Sequence, residues 1–98
     1  MLTISCAALN NLKYTKLFIE SIETRHPYEL FIIDNGSIDD TPKFLKESGI
    51  KHTRYDENRV FSYAYNDALD FALKRDDDIL LFCGNDIVFR PDSIDYLV

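Results

Sequence analysis

Only two cysteines, three glycines and three prolines occur among the 98 residues, and there is no tryptophan. The two cysteines, Cys6 and Cys83, each sit inside an apolar, strand-like run and cannot make a disulfide framework. Buried inert thiols are the simpler reading of both, and a cytoplasmic location is expected. So little glycine and proline excludes collagen-like and low-complexity chains and leaves no linker. Long hydrophobic runs are missing too. Leu30 to Ile33 and Ile79 to Cys83 are strand length, far below the roughly 18 to 20 residues needed to cross a bilayer, so no transmembrane segment is expected. The start, Met1-Leu2-Thr3-Ile4-Ser5, lacks the basic and long apolar regions of a secretory signal. Basic side chains are outnumbered, 11 against 17 acidic, for a net charge of -6. This balance argues against nucleic acid as a partner. An acidic chain can still handle phosphates, through a bound divalent cation or through backbone amides at helix starts.

What is present, 46% hydrophobic and 29% charged residues, suits one globular domain over residues 1–98. Strand and helix patterns take turns along it. An apolar run at 2–8 precedes a helical pattern from Leu12 to Arg25, with Leu12, Leu17, Phe18, Ser21 and Ile22 near one side. A strand at 28–34 is broken by Asn35-Gly36-Ser37, and Thr41-Pro42 opens a short helix that Gly49 ends. A weak strand at about 50–55 leads, with Asn58 as the expected N-cap, to a long helix at about 59–75. Its inner side should carry Phe61, Ala64, Tyr65, Ala68, Leu69 and Ala72. Asp76-Asp77-Asp78 reads as a solvated turn before the most apolar strand, Ile79 to Cys83, and Pro91 opens a last helix. Strand-helix four times over, with continuous rather than alternating apolar strands, predicts an α/β fold. Its form would be a Rossmann-like open parallel sheet of about four strands with helices on both faces.

Ligands of such sheets sit beyond the carboxyl ends of the strands. The first strand ends in Ala8-Leu9-Asn10, the second in Asp34-Asn35-Gly36-Ser37 and the fourth in Gly84-Asn85-Asp86. Two of these ends thus bring a carboxylate to one rim. The same residue types also organise turns by bonding their own backbone, and position alone leaves both readings open.

Three stretches together narrow the choice. Phe31-Ile32-Ile33-Asp34-Asn35-Gly36-Ser37-Ile38-Asp39-Asp40-Thr41 resembles the second-strand signature of family 2 glycosyltransferases. Asn58-Arg59-Val60-Phe61-Ser62-Tyr63-Ala64-Tyr65-Asn66 is similar to that family's Asn-x-Gly-Phe-x-x-Ala-x-Asn helix start. Leu81-Phe82-Cys83-Gly84-Asn85-Asp86, followed by Pro91-Asp92-Ser93, resembles the strand carrying the Asp-x-Asp metal motif. The matches come in family order and cover the nucleotide-sugar-binding half of the GT-A fold.

The resemblance implies a glycosyltransferase donor domain, inverting as the family is, that binds a nucleotide diphosphate sugar, with a uridine diphosphate sugar the expected donor. Asp34 would accept a hydrogen bond from the base, since an ionised carboxylate only accepts. Asp86 would hold a divalent metal, Mn or Mg, bridging to the diphosphate. Leu9, Asn10, Asn35, Asn66 and Asn85 would line the nucleotide pocket, and Asn10 and Asn85 serve equally as turn residues. Asp39, Asp40 and Thr41 are read as helix-start residues. His26 and His52, at the amino-terminal ends of strands, are assigned no chemistry.

Departures from the pattern carry expectations of their own. Leu9 stands where an aromatic residue often stacks on the base, Val60 replaces a frequent glycine, and Gly84 removes the first carboxylate of Asp-x-Asp. The family's acceptor half and general base follow the matched region, so no catalytic base is assigned and the acceptor is unknown. The chain is expected to be an incomplete GT-A domain. The alternative is a non-catalytic, truncated GT-A-like module acting as a folding or oligomerisation unit. With strand order 3-2-1-4 the apolar fourth strand becomes an edge, and a homodimer paired through it is expected. A phosphate-accepting regulatory domain is disfavoured, because it needs an acceptor Asp on strand three and a Lys on a fifth strand.

Overall fold

The computed structural model describes residues 1–98. Eight elements alternate: β1 (Leu2–Ala8), α1 (Leu12–Glu20), β2 (Tyr28–Asp34), α2 (Thr41–Ser48), β3 (Lys51–Arg54), α3 (Phe61–Lys74), β4 (Ile79–Gly84) and α4 (Ser93–Leu97). The strands form one parallel sheet in the order β3-β2-β1-β4, as expected. Register pairs Cys6 with both Ile32 and Cys83, and Ala8 with Asp34. All four carboxyl ends therefore lie on one rim.

Both sheet faces are covered, which is why the strands are apolar without alternation. On one face Leu2, Ile4, Cys6 and Ala8 of β1 and Ile32 of β2 pack against Phe18 of α1, Leu45 of α2 and Ile94 of α4. On the other, Phe31 and Ile33 meet Tyr55 and the alanines Ala64 and Ala68 of α3. Each large apolar side chain so buried contributes about 1.5–3 kcal/mol. Burial also drives the Cys6 thiol far above its usual value, the neighbouring Cys83 and Asp86 adding to the effect, so it stays protonated and inert.

The helices depart from their expected bounds for identifiable reasons. α1 stops at Glu20 rather than Arg25. The Ser21 hydroxyl donates to the Phe18 carbonyl (2.7 Å), and beyond it Thr24 and Arg25 are drawn to the Asp95 carboxylate of α4. Its buried residues are Thr15 and Phe18, while Leu17 is exposed. The inner face of α3 is Ala64, Ala68 and Ala72. Phe61 and Tyr65 are largely exposed and lean on Phe82 at the sheet edge, with ring centroids 5.1 and 5.6 Å away. Asn58 is not a cap, because the N-cap of α3 is Val60 and the Asn58 side chain is engaged elsewhere. Asp76 to Asp78 is not a simple solvated turn either. The Asp77 side chain is buried, takes the Thr3 hydroxyl and the Arg75 guanidinium, and pins the start of β4 to β1. Burial alone would raise its pKa, but those two donors outweigh it and hold the carboxyl below its usual range.

Candidate functional site

The loops that leave the four strands are stitched to one another by side chains reaching backbone. After β1, Asn10 and Asn11 both take the left-handed conformation, φ 54° and 51°. Asparagine tolerates that conformation better than most residues because its side chain bonds locally. The Asn10 amide donates to Ser37 Oγ (2.8 Å), and its side-chain oxygen accepts from the Ile38 amide (2.8 Å). Asn85, after β4, donates from Nδ2 to the Asn10 carbonyl (3.1 Å) and to Thr15 Oγ1 (3.2 Å). Asn10 thereby ties the β1, β2 and β4 loops into one shelf.

Asn35 does the same between β2 and the loop before α3. Its Nδ2 donates to Asn58 Oδ1 and to the Arg59 carbonyl, both at 2.9 Å, while its Oδ1 accepts from the Arg59 amide at 2.8 Å. This clasp depends on Gly36. With φ +86°, its missing Cβ would lie 2.6 Å from the Asn58 nitrogen and from the Glu57 carbonyl carbon, so only glycine lets the two loops touch. The Arg59 guanidinium then rests over the rings of Tyr55 (5.0 Å) and Tyr63 (5.4 Å).

The carboxylates at this rim have unlike surroundings. Asp34, last residue of β2, is fully buried, its Oδ1 accepting from the Ser37 amide (2.9 Å) and its Oδ2 from Arg54 Nη1 (2.6 Å). Asp86 is exposed, with no hydrogen bond or ion pair. It borders a small hollow of about 80 Å³ with Tyr14, Asn85 and Val88. The tips of β2 and β4 are separated by β1, hence by about 10 Å at the usual strand spacing. Asp39 bonds the Thr41 amide (2.9 Å) and the Leu12 amide (3.1 Å), serving the starts of two helices. Leu9 is partly buried, and Asn66 is exposed on α3 without a hydrogen bond.

Of the residues expected to form a pocket, the fold joins Asn10, Asp34 and Asn85 in one network through Ser37, gives Asn35 a separate clasp on Asn58 and Arg59, and leaves Leu9, Asn66 and Asp86 outside both. Arg54, Arg59, Tyr63 and Tyr14 went unforeseen. The end of β3 lies on the same rim as the other three, and that position is the signal that could have found Arg54.

No group of three or more His, Cys, Asp or Glu gathers anywhere in the chain. A lone, solvent-facing carboxylate does not make a protein-only cage. It does fit Mg or Mn, which keep waters and bind through one or two carboxylates plus substrate phosphates. Asp86 meets this description at the end of β4, as do the exposed and unpartnered Asp56 and Glu57 after β3. Four roomier hollows, of about 650, 560, 360 and 200 Å³, are lined by none of the shelf residues.

The sequence matches the family model for glycosyl transferase family 2 over residues 4–98. The chain belongs to that family. Among solved structures, this family 2 chain is similar to S. aureus TarS 1–349, with a TM-score of 0.71 and 18% identity. It is also similar to the same TarS fragment in complex with UDP-GlcNAc, with a TM-score of 0.71 and 17% identity. Each comparison covers 98% of this chain, which spans 30% and 29% of the respective TarS chains. At such identity the likeness establishes the fold, the amino-terminal portion of a GT-A glycosyltransferase. No curated protein matches the sequence. No helix is long and apolar enough to cross a membrane.

Proposed function

We propose that this family 2 chain binds the nucleotide diphosphate portion of a sugar donor on the shelf formed by the β1, β2 and β4 loops, for inverting glycosyl transfer to an acceptor not yet known. The observation that carries the reading is the contrast between Asp86 and its neighbours. The asparagines around it are engaged in holding the rim, whereas Asp86 is held by nothing and faces solvent. Asp86 would hold Mn or Mg, which when bound supplies neutralisation of the charge developing on the departing diphosphate. Asn10 and Asn85 set the shelf beneath it, and Leu9 and Asn66 border the space a nucleotide would fill. The family match and the likeness to TarS, one of whose structures holds UDP-GlcNAc, support a uridine diphosphate sugar as donor.

Isothermal titration with UDP and MnCl2 tests this. We expect micromolar to millimolar binding that is weakened at least tenfold by EDTA or by Asp86→Ala, with the circular dichroism unchanged. Binding of UDP indifferent to both would remove Asp86 from the reading.

A second reading has one observation in its favour. The two sheet edges are unlike. β3 has four residues with Lys51, His52 and Arg54 exposed, the usual protection of a free edge, whereas β4 has six residues, Ile79–Gly84, without a charge or a proline. A bare apolar edge favours a module that assembles, and a homodimer through β4 about a two-fold axis would continue the sheet. UDP giving no heat at millimolar concentration, in a chain that nevertheless dimerises, would favour this reading over the first.

A further inference from the structure

We propose that Asn35 is a site of spontaneous deamidation and that its clasp on the loop before α3 gates the reaction. Asn35 is the one asparagine of the chain that precedes a glycine; the others precede Asn11, Leu12, Arg59, Asp67 and Asp86. An asparagine converts when the backbone nitrogen of the next residue attacks its side-chain carbonyl carbon, and glycine hinders that approach least because it has no Cβ. The nucleophile is available here. The amides on either side are occupied, that of Asn35 by the Ala8 carbonyl (2.7 Å) and that of Ser37 by Asp34 Oδ1 (2.9 Å), whereas the Gly36 amide has no hydrogen bond.

The side chain's own engagement stands in the way. Asn35 is buried and both ends of its side-chain amide are held, Nδ2 by Asn58 Oδ1 and the Arg59 carbonyl, Oδ1 by the Arg59 amide. The side-chain carbonyl carbon cannot turn onto the Gly36 nitrogen, nor Nδ2 depart, until those three bonds part. The rate is therefore the intrinsic rate multiplied by the fraction of time the clasp is open. In the open state the bond from Gly36 N to Asn35 Cγ forms, the Cγ–Nδ2 bond breaks, and Nδ2 leaves as ammonia with the Gly36 amide proton. Water then opens the five-membered imide at one of its two carbonyls and restores the Gly36 N–H, leaving aspartate or isoaspartate at position 35. No oxidant or cofactor enters. The product cannot rebuild the clasp, because a carboxylate only accepts and the Arg59 carbonyl would face another acceptor where Nδ2 now donates. Deamidation thus unlatches the loop that carries Arg59 and adds one negative charge to the rim. It needs no ligand and stands whether or not the shelf binds a nucleotide.

The test incubates the full chain in mildly alkaline buffer, folded and in urea, and follows the amide-to-acid mass gain at each asparagine by peptide mapping. The expected result is conversion at Asn35 ahead of every other asparagine in urea, and conversion of Asn35 at least about tenfold slower in the folded chain. Asn58→Ala, which takes away one acceptor of Nδ2, should speed conversion in the folded chain about threefold to tenfold. Asn58→Asp, which keeps an acceptor there, should leave the rate within about twofold. Circular dichroism establishes that both variants are folded. Asn35 converting as fast folded as in urea, no preference for Asn35 in urea, or a folded Asn58→Ala chain no faster than the unaltered one would each overturn the inference. If Asn58→Ala unfolds, the folded and urea rates of the unaltered chain decide alone.

Discussion

At Gly36 a single missing methyl group decides how two loops meet. Gly36 and Gly49 both have positive φ, +86° and +76°, but a Cβ on Gly49 would meet nothing, whereas one on Gly36 would strike the Asn58 and Glu57 backbone. Gly49→Ala should therefore cost only the left-handed penalty of about 1–2 kcal/mol. Gly36→Ala should cost more, about 3 kcal/mol or above, and release Arg59 from its place; urea unfolding of both variants checks the order. Tyr55 supplies a second residue-scale expectation. Its burial, with a hydrogen bond to Asp67 and the charge of that carboxylate, pushes the phenol up to about 12 from 10.0, Arg59 opposing weakly. A raised phenol favours the folded state below pH 10, and that contribution fades as the pH climbs from about 10 to about 12. Spectrophotometric titration should find one of the six tyrosines ionising late, and Tyr55→Phe should remove that late step. At this scale the sequence was only partly legible. By position Asp34 and Asp86 read alike, each an acidic residue at the end of an apolar strand, and only the family resemblance gave them different roles. The arrival of Arg54 from another strand, 20 residues away in sequence, makes Asp34 a buried anchor, while Asp86 stays exposed and unpaired.

The elements were more legible, because their signals are local. Continuous apolar runs gave β1, β2 and β4, the polar β3 was read only as a weak strand, and Gly49 marked the end of α2 through its positive φ. The failures have a common cause in long-range partners. α1 ends early because Asp95 of α4 claims Thr24 and Arg25. Asn58 leaves its capping role to bond Asn35, and Asp77 turns inward because Thr3 of β1 and Arg75 offer it donors. Phe61 and Tyr65 were expected inside, yet only small alanines fit between α3 and the sheet, and the rings slide to the β4 edge. That edge carries the prediction for this scale. Size exclusion with light scattering should show a dimer that Ile79→Lys, at the exposed start of β4, weakens while the monomer stays folded. A monomer at high concentration would contradict pairing through β4.

For the whole molecule, the topology followed from the alternation of strand and helix and from the family resemblance, since a parallel sheet must collect its carboxyl ends on one rim. Charge then singles out where on that rim chemistry can happen. In a chain of net charge -6, several rim carboxylates are exposed and unpaired, Asp40, Asp56 and Glu57 among them, and Asp86 is the one that adjoins Asn85 and the shelf. The competing location for a cation is the acidic run Asp76 to Asp78, but Asp77 is held by Thr3 and Arg75, and Asp78 is paired with the amino terminus. The decisive measurement is paramagnetic broadening of backbone amide resonances by Mn, with and without UDP. The account predicts that UDP focuses the broadening on residues 84–88 and 8–11. Broadening centred on residues 76–78, or a pattern that UDP does not change, would contradict it.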